Sequence, residues 1–117
     1  MSRNYKFRDQ QKPHFVTCTV IEWIDLFTRP VYNDILLDSL RYCQRQKGLE
    51  IYAWCIMTNH IHLIIGTKDQ QMQYILRDFK SFTSRILKET IIKNYRESRR
   101  EWILAMMRKA GRNNPNN

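Results

Sequence analysis

Two kinds of hydrophobic spacing organise the first half of the chain. Apolar and polar residues alternate over residues 14–21, HFVTCTVI, and this segment is rich in β-branched and aromatic side chains. Both features predict a strand. From Pro30 the spacing becomes helical and continues to Gly48, with Thr28 placed to cap the start of the helix. The sequence therefore begins with a strand followed by a helix of about four turns.

A hairpin is predicted next. LEIYAWCIM at 49–57 and HIHLIIG at 60–66 are typical of strands, and the polar pair at residues 58 and 59 can make a tight turn between them. We expect the two strands to be antiparallel and to form the centre of the sheet. Tyr52 and Trp54 on the first of them could stack on unpaired bases, although we expect both to pack in the core.

The second half of the chain has helical periodicity. Between residues 70 and 92 the apolar positions recur every 3.6 residues, which predicts a helix with one face on the sheet. These positions are Met72, Ile75, Leu76, Phe79, Phe82 and Ile86. A capping box formed by Ser98 and Glu101 predicts the start of a last helix, and Gly111 predicts its end.

The element order β-α-β-β-α-α indicates the fold class. It predicts an α+β fold of the ferredoxin-like split βαβ type, with one antiparallel sheet and the helices on one face. The last strand of that fold has no counterpart in the predicted order. We expect a single domain over residues 1–112 and a disordered tail over 113–117.

Composition narrows the location of the protein. The chain has 117 residues and is 43% hydrophobic, which suffices for one core. No apolar run approaches the roughly 20 residues of a membrane span, and no secretory signal precedes residue 14. We therefore expect a cytoplasmic protein with no membrane partner. The three cysteines, Cys18, Cys43 and Cys55, have no C-x-x-C spacing and are expected to be buried, reduced thiols.

Charge indicates the kind of partner. Twenty Lys and Arg residues stand against eleven Asp and Glu residues, giving a net charge of +9. An imbalance of this size in a short chain favours phosphate-rich partners. A solvated basic surface that only maintains solubility is the alternative.

Two histidines lie one residue apart in the third predicted strand. Because side chains alternate along a strand, Ile61, Leu63 and Ile65 should face the core, and His60 and His62 should share the opposite face. Their backbone positions are then roughly 6.6 Å apart. Two imidazoles so placed can converge on one metal ion, while a pair of ordinary surface histidines is the alternative.

The second half of the chain also has a basic stripe along its first predicted helix. Arg77, Ser81, Ser84 and Lys88 follow one another at spacings of four, three and four, and Lys80 and Arg85 border them. Such a stripe can bind DNA phosphates in a salt-dependent manner without reading bases. An ordinary solvated helix face is the alternative.

Four blocks together resemble a known family. HFVTCTV at 14–20, DLFTR at 25–29, GLEIYAWCIMTNHIHLII at 48–65 and LRDFKSFTSR at 76–85 occur in the order of that family. The chain resembles the single-strand DNA transposases of the HUH class, more specifically the insertion-sequence and repetitive-extragenic-palindrome-associated tyrosine transposases. The resemblance covers residues 15–111, and the pair of His60 and His62 matches the family's His-hydrophobe-His signature.

The resemblance implies a chemistry. Members of the family bind, cleave and rejoin single-stranded DNA, in some cases hairpin-containing, through a 5′-phosphotyrosine intermediate, and they act as homodimers. The matching histidines imply that His60 and His62 hold a divalent ion, Mg²⁺ or Mn²⁺, and imidazole ligands favour Mn²⁺ of the two. Both rings must be neutral to bind the ion, so activity should fall in acid.

The chain departs from the family at the nucleophile. The resemblance implies a nucleophilic tyrosine and a third metal ligand in a later segment, for which we expect no counterpart in this chain. The six tyrosines each have a structural interpretation. We therefore assign no catalytic residue and expect a C-terminally truncated transposase. The alternative is a non-catalytic module that binds single-stranded nucleic acid.

Overall fold

A computed structural model describes residues 12–113 and gives the predicted α+β fold. The strands are β1 (His14–Thr19), β2 (Leu49–Ile56) and β3 (His60–Thr67), and the helices are α1 (Pro30–Gln46), α2 (Met72–Lys93) and α3 (Arg100–Asn113). Two short 3-10 helices, Ile21–Trp23 and Leu26–Thr28, connect β1 to α1. The element order and the antiparallel sheet confirm the split βαβ arrangement. No helix of the described part is long and apolar enough to cross a membrane.

The sheet is antiparallel throughout, and its strand order is β1-β3-β2. Among the strands of residues 12–113 only β3 is central, so the prediction that the whole hairpin lies at the centre is wrong for β2, which is an edge strand there. Tyr52, which lies on the open face, and Trp54, which lies at this edge, are 57% and 56% exposed rather than packed in the core. Cys55 on the same strand is also exposed, while Cys18 and Cys43 are buried as predicted. Burial raises the pKa of Cys43 to about 11, so this thiol stays protonated.

The helices cover one face of the sheet. Ile61, Leu63 and Ile65 are at most 2% exposed and meet the buried face of α2, which confirms the alternation predicted for β3. The buried positions of α2 are Met72, Ile75, Leu76, Phe79, Thr83, Leu87 and Ile91. Phe82 and Ile86 were expected among them. Phe82 is instead exposed and stacks on Tyr42 of α1, while Ile86 is only partly buried. Thr83 is buried between them in the sequence instead, and its hydroxyl lies 2.6 Å from that of Ser39.

The helix ends differ from the predicted ones. Arg29, not Thr28, is the cap residue of α1, because the Thr28 hydroxyl bonds to the carbonyl of Asp25 within the preceding 3-10 turn. Helix α3 begins at Arg100 rather than Ser98, and the carboxylate of Glu97 accepts the backbone N–H of Arg99 before the first turn. Gly111 does not end α3, which continues to Asn113. The remainder of the predicted tail, residues 114–117, lies outside the described residues.

Candidate metal centre and nucleic-acid interface

His60 and His62 lie on the face of the sheet that the helices leave open. Because Ile61 and Leu63 point into the core, the residues that alternate with them on β3 point away from it. Both imidazoles are half-buried. The central position of β3 places strands on both sides of the pair and so fixes its backbone.

The two rings converge through their Nε2 atoms. The Nε2 of His60 lies 3.1 Å from the Nε2 of His62, and the ring planes meet at 78° with centroids 4.6 Å apart. Two nitrogen ligands of one ion, each about 2.1 Å from it, are about 3.0 Å apart when they subtend a right angle. The pair therefore fits two neighbouring coordination positions of a single ion.

Each imidazole is oriented through its second nitrogen. The Nδ1 of His60 is 2.7 Å from the Oδ1 of Asn59, which can only accept a hydrogen bond. The amide of Asn59 is fixed in this orientation because its Nδ2 donates to the carbonyl of Trp23 at 3.5 Å. This contact favours the tautomer of His60 that carries its proton on Nδ1, in which Nε2 of the neutral ring has the lone pair. This tautomer is the one that binds a metal through Nε2.

Thr17 orients His62 in the same way, but its hydroxyl allows either tautomer of the ring. Its Oγ1 is 3.0 Å from the Nδ1 of His62, its cross-strand neighbour. A hydroxyl can donate or accept. When the Thr17 hydroxyl accepts from Nδ1–H of His62, the Nε2 lone pairs of both histidines face each other and favour a cation between them. When the hydroxyl donates to Nδ1, the proton of His62 is on Nε2 and bonds to the Nε2 of His60. The exposed ring of Phe15 stacks on His62 with centroids 5.4 Å apart.

The turn before His60 is tied to the segment after β1. Backbone bonds of 2.9 Å run from the N–H of Val20 to the carbonyl of Asn59 and from the N–H of Phe27 to the carbonyl of Thr58. Between them, Glu22 and Trp23 have φ values of 58° and 56°. Two successive non-glycine residues in the left-handed region are strained, and the flanking hydrogen bonds hold them there.

Cys55 is the cysteine whose strand position lies beside the histidine pair. It is the cross-strand neighbour of His62 on β2, but its Sγ contacts the Sδ of Met57 at 3.6 Å. Among residues 12–113, no group of three or more His, Cys, Asp and Glu side chains is placed to hold a metal ion. The candidate centre in the described part is therefore a two-histidine centre that is open on its solvent side.

The predicted basic stripe follows the exposed outer surface of α2, away from the sheet. Asp78 and Phe82 face α1, where they contact Lys47 and Tyr42. The stripe lies beside these two residues, because Arg77 pairs with Asp78 and the guanidinium of Arg85 lies 5.4 Å from the ring centroid of Phe82. Its exposed members are Arg77, Ser81, Ser84, Arg85 and Lys88. The structure thus does not bring these five side chains to the open face that carries the histidines.

Individual stripe residues have different surroundings. Arg77 is paired with Asp78 at 3.1 Å, and its guanidinium lies 5.0 Å from the ring centroid of Tyr74. Lys80 is half-buried, and burial lowers its pKa. Lys80 lies near the buried Cys18 of β1. Lys80 therefore marks the place where the stripe meets the β1 edge of the sheet.

No tyrosine contacts the histidine pair within the described part of the chain. Tyr32 is buried in α1, and its hydroxyl donates to Glu97 at 3.0 Å. Tyr52 lies on the open face but covers Gly66, four residues from His62 along β3, which is about 13 Å. Tyr42 and Tyr74 lie in the helical layer, and Tyr95 follows α2. Tyr5 lies outside the described residues.

Sequence reasoning found the two histidines and missed the residues that orient them. Asn59 looked like a turn residue, and Thr17 looked like an ordinary polar position of β1. The signal for Thr17 is its register with His62, which can be known only once β1 is paired with β3. For Asn59, an amide directly before the first histidine of the pair is the available local signal.

Comparison with known proteins places the fold and the site in context. The sequence matches the family described as "Transposase IS200 like" over residues 8–103. No curated protein and no solved structure matches the chain. The family match spans β1, the histidine pair, α2 and the start of α3. The protein is therefore a member of the IS200-like transposase family.

Proposed function

We propose that this chain binds single-stranded DNA for the cleavage and rejoining chemistry of its family, with a divalent ion, Mg²⁺ or Mn²⁺, held by His60 and His62, and that its described residues do not supply the nucleophile. Membership of a transposase family supports a DNA-processing function in general. The observation that carries the specific proposal is the 3.1 Å approach of the two Nε2 atoms on an open sheet face. The homodimer and the hairpin-containing target that the resemblance implies belong to the same proposal.

The protein's part in this chemistry is to present two neutral imidazoles. Asn59 keeps the proton of His60 on Nδ1, and Thr17 can do the same for His62, so both Nε2 lone pairs are available. A bound ion would polarise a DNA phosphate and neutralise the charge that grows on it during cleavage. The open solvent side of the pair leaves room for phosphate oxygens. Two nitrogen ligands make Mn²⁺ the better fit of the two ions.

We propose a path for the DNA backbone along the β1 edge of the sheet. Thr17 faces the histidines from β1, and Cys18, the next residue, lies on the helix side near Lys80. A strand that leaves the open face over β1 therefore meets Lys80 first and then the exposed stripe of α2. Phosphate contacts with Lys88 and Arg85 would strengthen binding without selecting bases.

Manganese binding tests the metal site. We expect wild-type protein to bind Mn²⁺, measured by water-proton relaxation, and the double variant His60→Ala, His62→Ala to lose this binding. His14→Ala removes the remaining histidine of the chain and serves as the matched control, which should bind as wild type does. Equal Mn²⁺ binding by all three proteins would refute the metal site.

Strand cleavage tests the catalytic step. In the family's reaction a tyrosine oxygen bonds to phosphorus, the bond from phosphorus to the 3′ oxygen breaks, and that oxygen leaves with a proton. Attack requires the hydroxyl within about 3.5 Å of the phosphorus, and the described tyrosines lie away from the histidine pair. We therefore expect this chain alone to bind labelled single-stranded DNA with Mn²⁺ without forming a covalent adduct.

Denaturing electrophoresis reads out this step directly. A labelled band at the mass of the protein would contradict the expectation, and its loss in Tyr5→Phe, Tyr74→Phe or Tyr95→Phe would identify the nucleophile. DNA binding that persists with no contribution from Mn²⁺ would instead favour the non-catalytic nucleic-acid-binding module.

A further inference from the structure

A groove lies at the junction of α2 and α3, away from the stripe. It has a volume of about 480 Å³, and residues 95 and 97–102 line it. Two of these residues are aromatic and strongly exposed, Tyr95 at 85% and Trp102 at 50%. Aromatic side chains of this exposure are surfaces on which unpaired bases can stack.

An arginine is stacked on each of the two rings. The guanidinium of Arg100 lies 4.9 Å from the ring centroid of Tyr95, and that of Arg99 lies 5.9 Å from the ring centroid of Trp102. Both arginines also make contacts that fix their side chains. Arg99 pairs with Asp25, and the Nε of Arg100 donates to the carbonyl of Ile92 at 2.8 Å. The groove is therefore preorganised, because its cations need not be ordered when a ligand enters.

Two arginines and two glutamates line the groove, but the glutamates differ in exposure. Two glutamates lie beside Arg96, Arg99 and Arg100 in the sequence. The side chain of Glu97 is fully buried, and its oxygens are bonded to Arg29. Glu101 is exposed and pairs with Arg100. The arginines thus outnumber the accessible carboxylates, which suits a ligand that carries phosphates.

The groove lies at the same end of the molecule as the histidine pair. Helix α3 packs against the turn at Ile21–Trp23, and Arg99 is bonded to Asp25 two residues further on. The backbone around that turn is in turn bonded to residues 58 and 59, directly before His60. A continuous set of contacts therefore connects the groove to the candidate metal centre.

We infer that this groove binds an unpaired base of the same DNA strand whose phosphate is held at the histidine pair. The base stacks against Tyr95 and Trp102, and Arg100 contacts the adjoining phosphate. The inference rests on the proposed function and adds a second contact, one that favours single-stranded over paired DNA because a paired base does not offer its face to a ring. An acidic protein segment could use the arginines but has no base to stack.

Fluorescence and affinity together test the groove. In a chain with Trp23→Phe and Trp54→Phe, Trp102 is the remaining indole, and its emission should be quenched by an oligothymidine of about 12 nucleotides. Tyr95→Ala should weaken binding of this DNA about 5- to 100-fold. An abasic strand of the same length carries the same phosphates without bases, and its affinity should change less than about twofold.

Tyr74→Ala is the matched control. Tyr74 is also an exposed tyrosine with an arginine stacked on it, at 5.0 Å, but it lies at the start of α2. Its variant should bind DNA as wild type does. Tyr95→Phe keeps an aromatic ring and should restore most of the affinity that Tyr95→Ala loses. Melting temperatures of all variants establish that the fold is intact.

Each result decides the matter. Unchanged affinity of Tyr95→Ala, with wild-type DNA binding and Mn²⁺ binding intact, would overturn the groove and leave the proposed function standing. Equal losses for thymidine and abasic strands would show a contact of charge alone and also overturn it. If the wild-type chain bound no single-stranded DNA, the proposed function and this inference would fail together.

Discussion

The orientation of His60 and His62 depends on two polar residues that bind no metal themselves. Asn59 and Thr17 hold the Nδ1 atoms at 2.7 and 3.0 Å, and the Nε2 atoms consequently meet on the open face. Partners of this kind usually contribute about 10- to 100-fold to metal affinity because they fix the ring and its tautomer. The candidate centre therefore comprises four residues, two of which act through the other two.

Removing the hydroxyl of Thr17 tests this role. Thr17→Val keeps the shape of the side chain, and we expect Mn²⁺ affinity to fall about 10- to 100-fold because His62 is no longer oriented. Thr19→Val is the control, since Thr19 is the cross-strand neighbour of His60 on the same face of β1. Isothermal titration of Mn²⁺ measures both. Equal affinities for Thr17→Val and Thr19→Val would show that Thr17 does not orient the site.

The facing of His60 and His62 could be predicted from the sequence, but the residues that orient their rings could not. A strand has a strict period of two, so the sequence alone places His60 and His62 opposite Ile61. The hydrogen bond from Thr17 joins residues 45 positions apart. No local pattern reports such a contact, because it depends on the pairing and register of β1 with β3.

At the scale of elements, Glu97 joins α1 to the start of α3. Its carboxylate accepts hydrogen bonds from the guanidinium of Arg29, the hydroxyl of Tyr32 and the backbone N–H of Arg99. Burial disfavours its charged form, but these hydrogen bonds outweigh burial and lower its pKa. Burial raises the pKa of Tyr32, so its hydroxyl remains a donor.

Glu97→Gln should destabilise the fold by about 1–3 kcal/mol at neutral pH, because a neutral amide cannot accept all these bonds. The loss should depend on pH. Since folding lowers the pKa of Glu97, its contribution is present above the unfolded value of about 4.3 and disappears as the pH falls through the folded value. The wild-type advantage over Glu97→Gln should therefore shrink in acid.

Urea unfolding at several pH values measures this difference. Glu89→Gln, at an exposed position of α2, is the control and should change the free energy of unfolding by less than about 0.5 kcal/mol. A difference between wild type and Glu97→Gln that stays constant from neutral to acid pH would contradict the role of the Glu97 charge.

The sequence predicted the elements better than their ends and edges. Hydrophobic period distinguishes a strand from a helix over long segments, and all three strands and three helices were placed on that basis. The sequence around Ser98 has the pattern of a helix cap, but α3 begins at Arg100. The carboxylate of Glu97 is bonded to Arg29, 68 residues away, and no local pattern indicates this contact. Likewise, the apolar pattern of β2 does not distinguish an edge strand from a central one, so the exposure of Trp54 could not be foreseen.

At the scale of the whole molecule, the chain has a helical side and an open side. The helices cover one face of the sheet, the histidines occupy the other, and Lys80 lies where the basic stripe of α2 approaches the β1 edge between them. The net charge of +9 predicts an affinity for single-stranded DNA that falls steeply between about 50 and 200 mM salt, because each phosphate contact releases counterions.

The proposed function joins the two sides, because it places on His60 and His62 an ion that contacts the DNA phosphate. The most direct measurement is the dissociation constant of a labelled single strand, at fixed salt, with and without Mn²⁺. Wild type and His14→Ala should bind the strand about 5- to 100-fold more tightly with Mn²⁺, and the variant His60→Ala, His62→Ala should show no such gain. The same response to Mn²⁺ in all three proteins would contradict the claim.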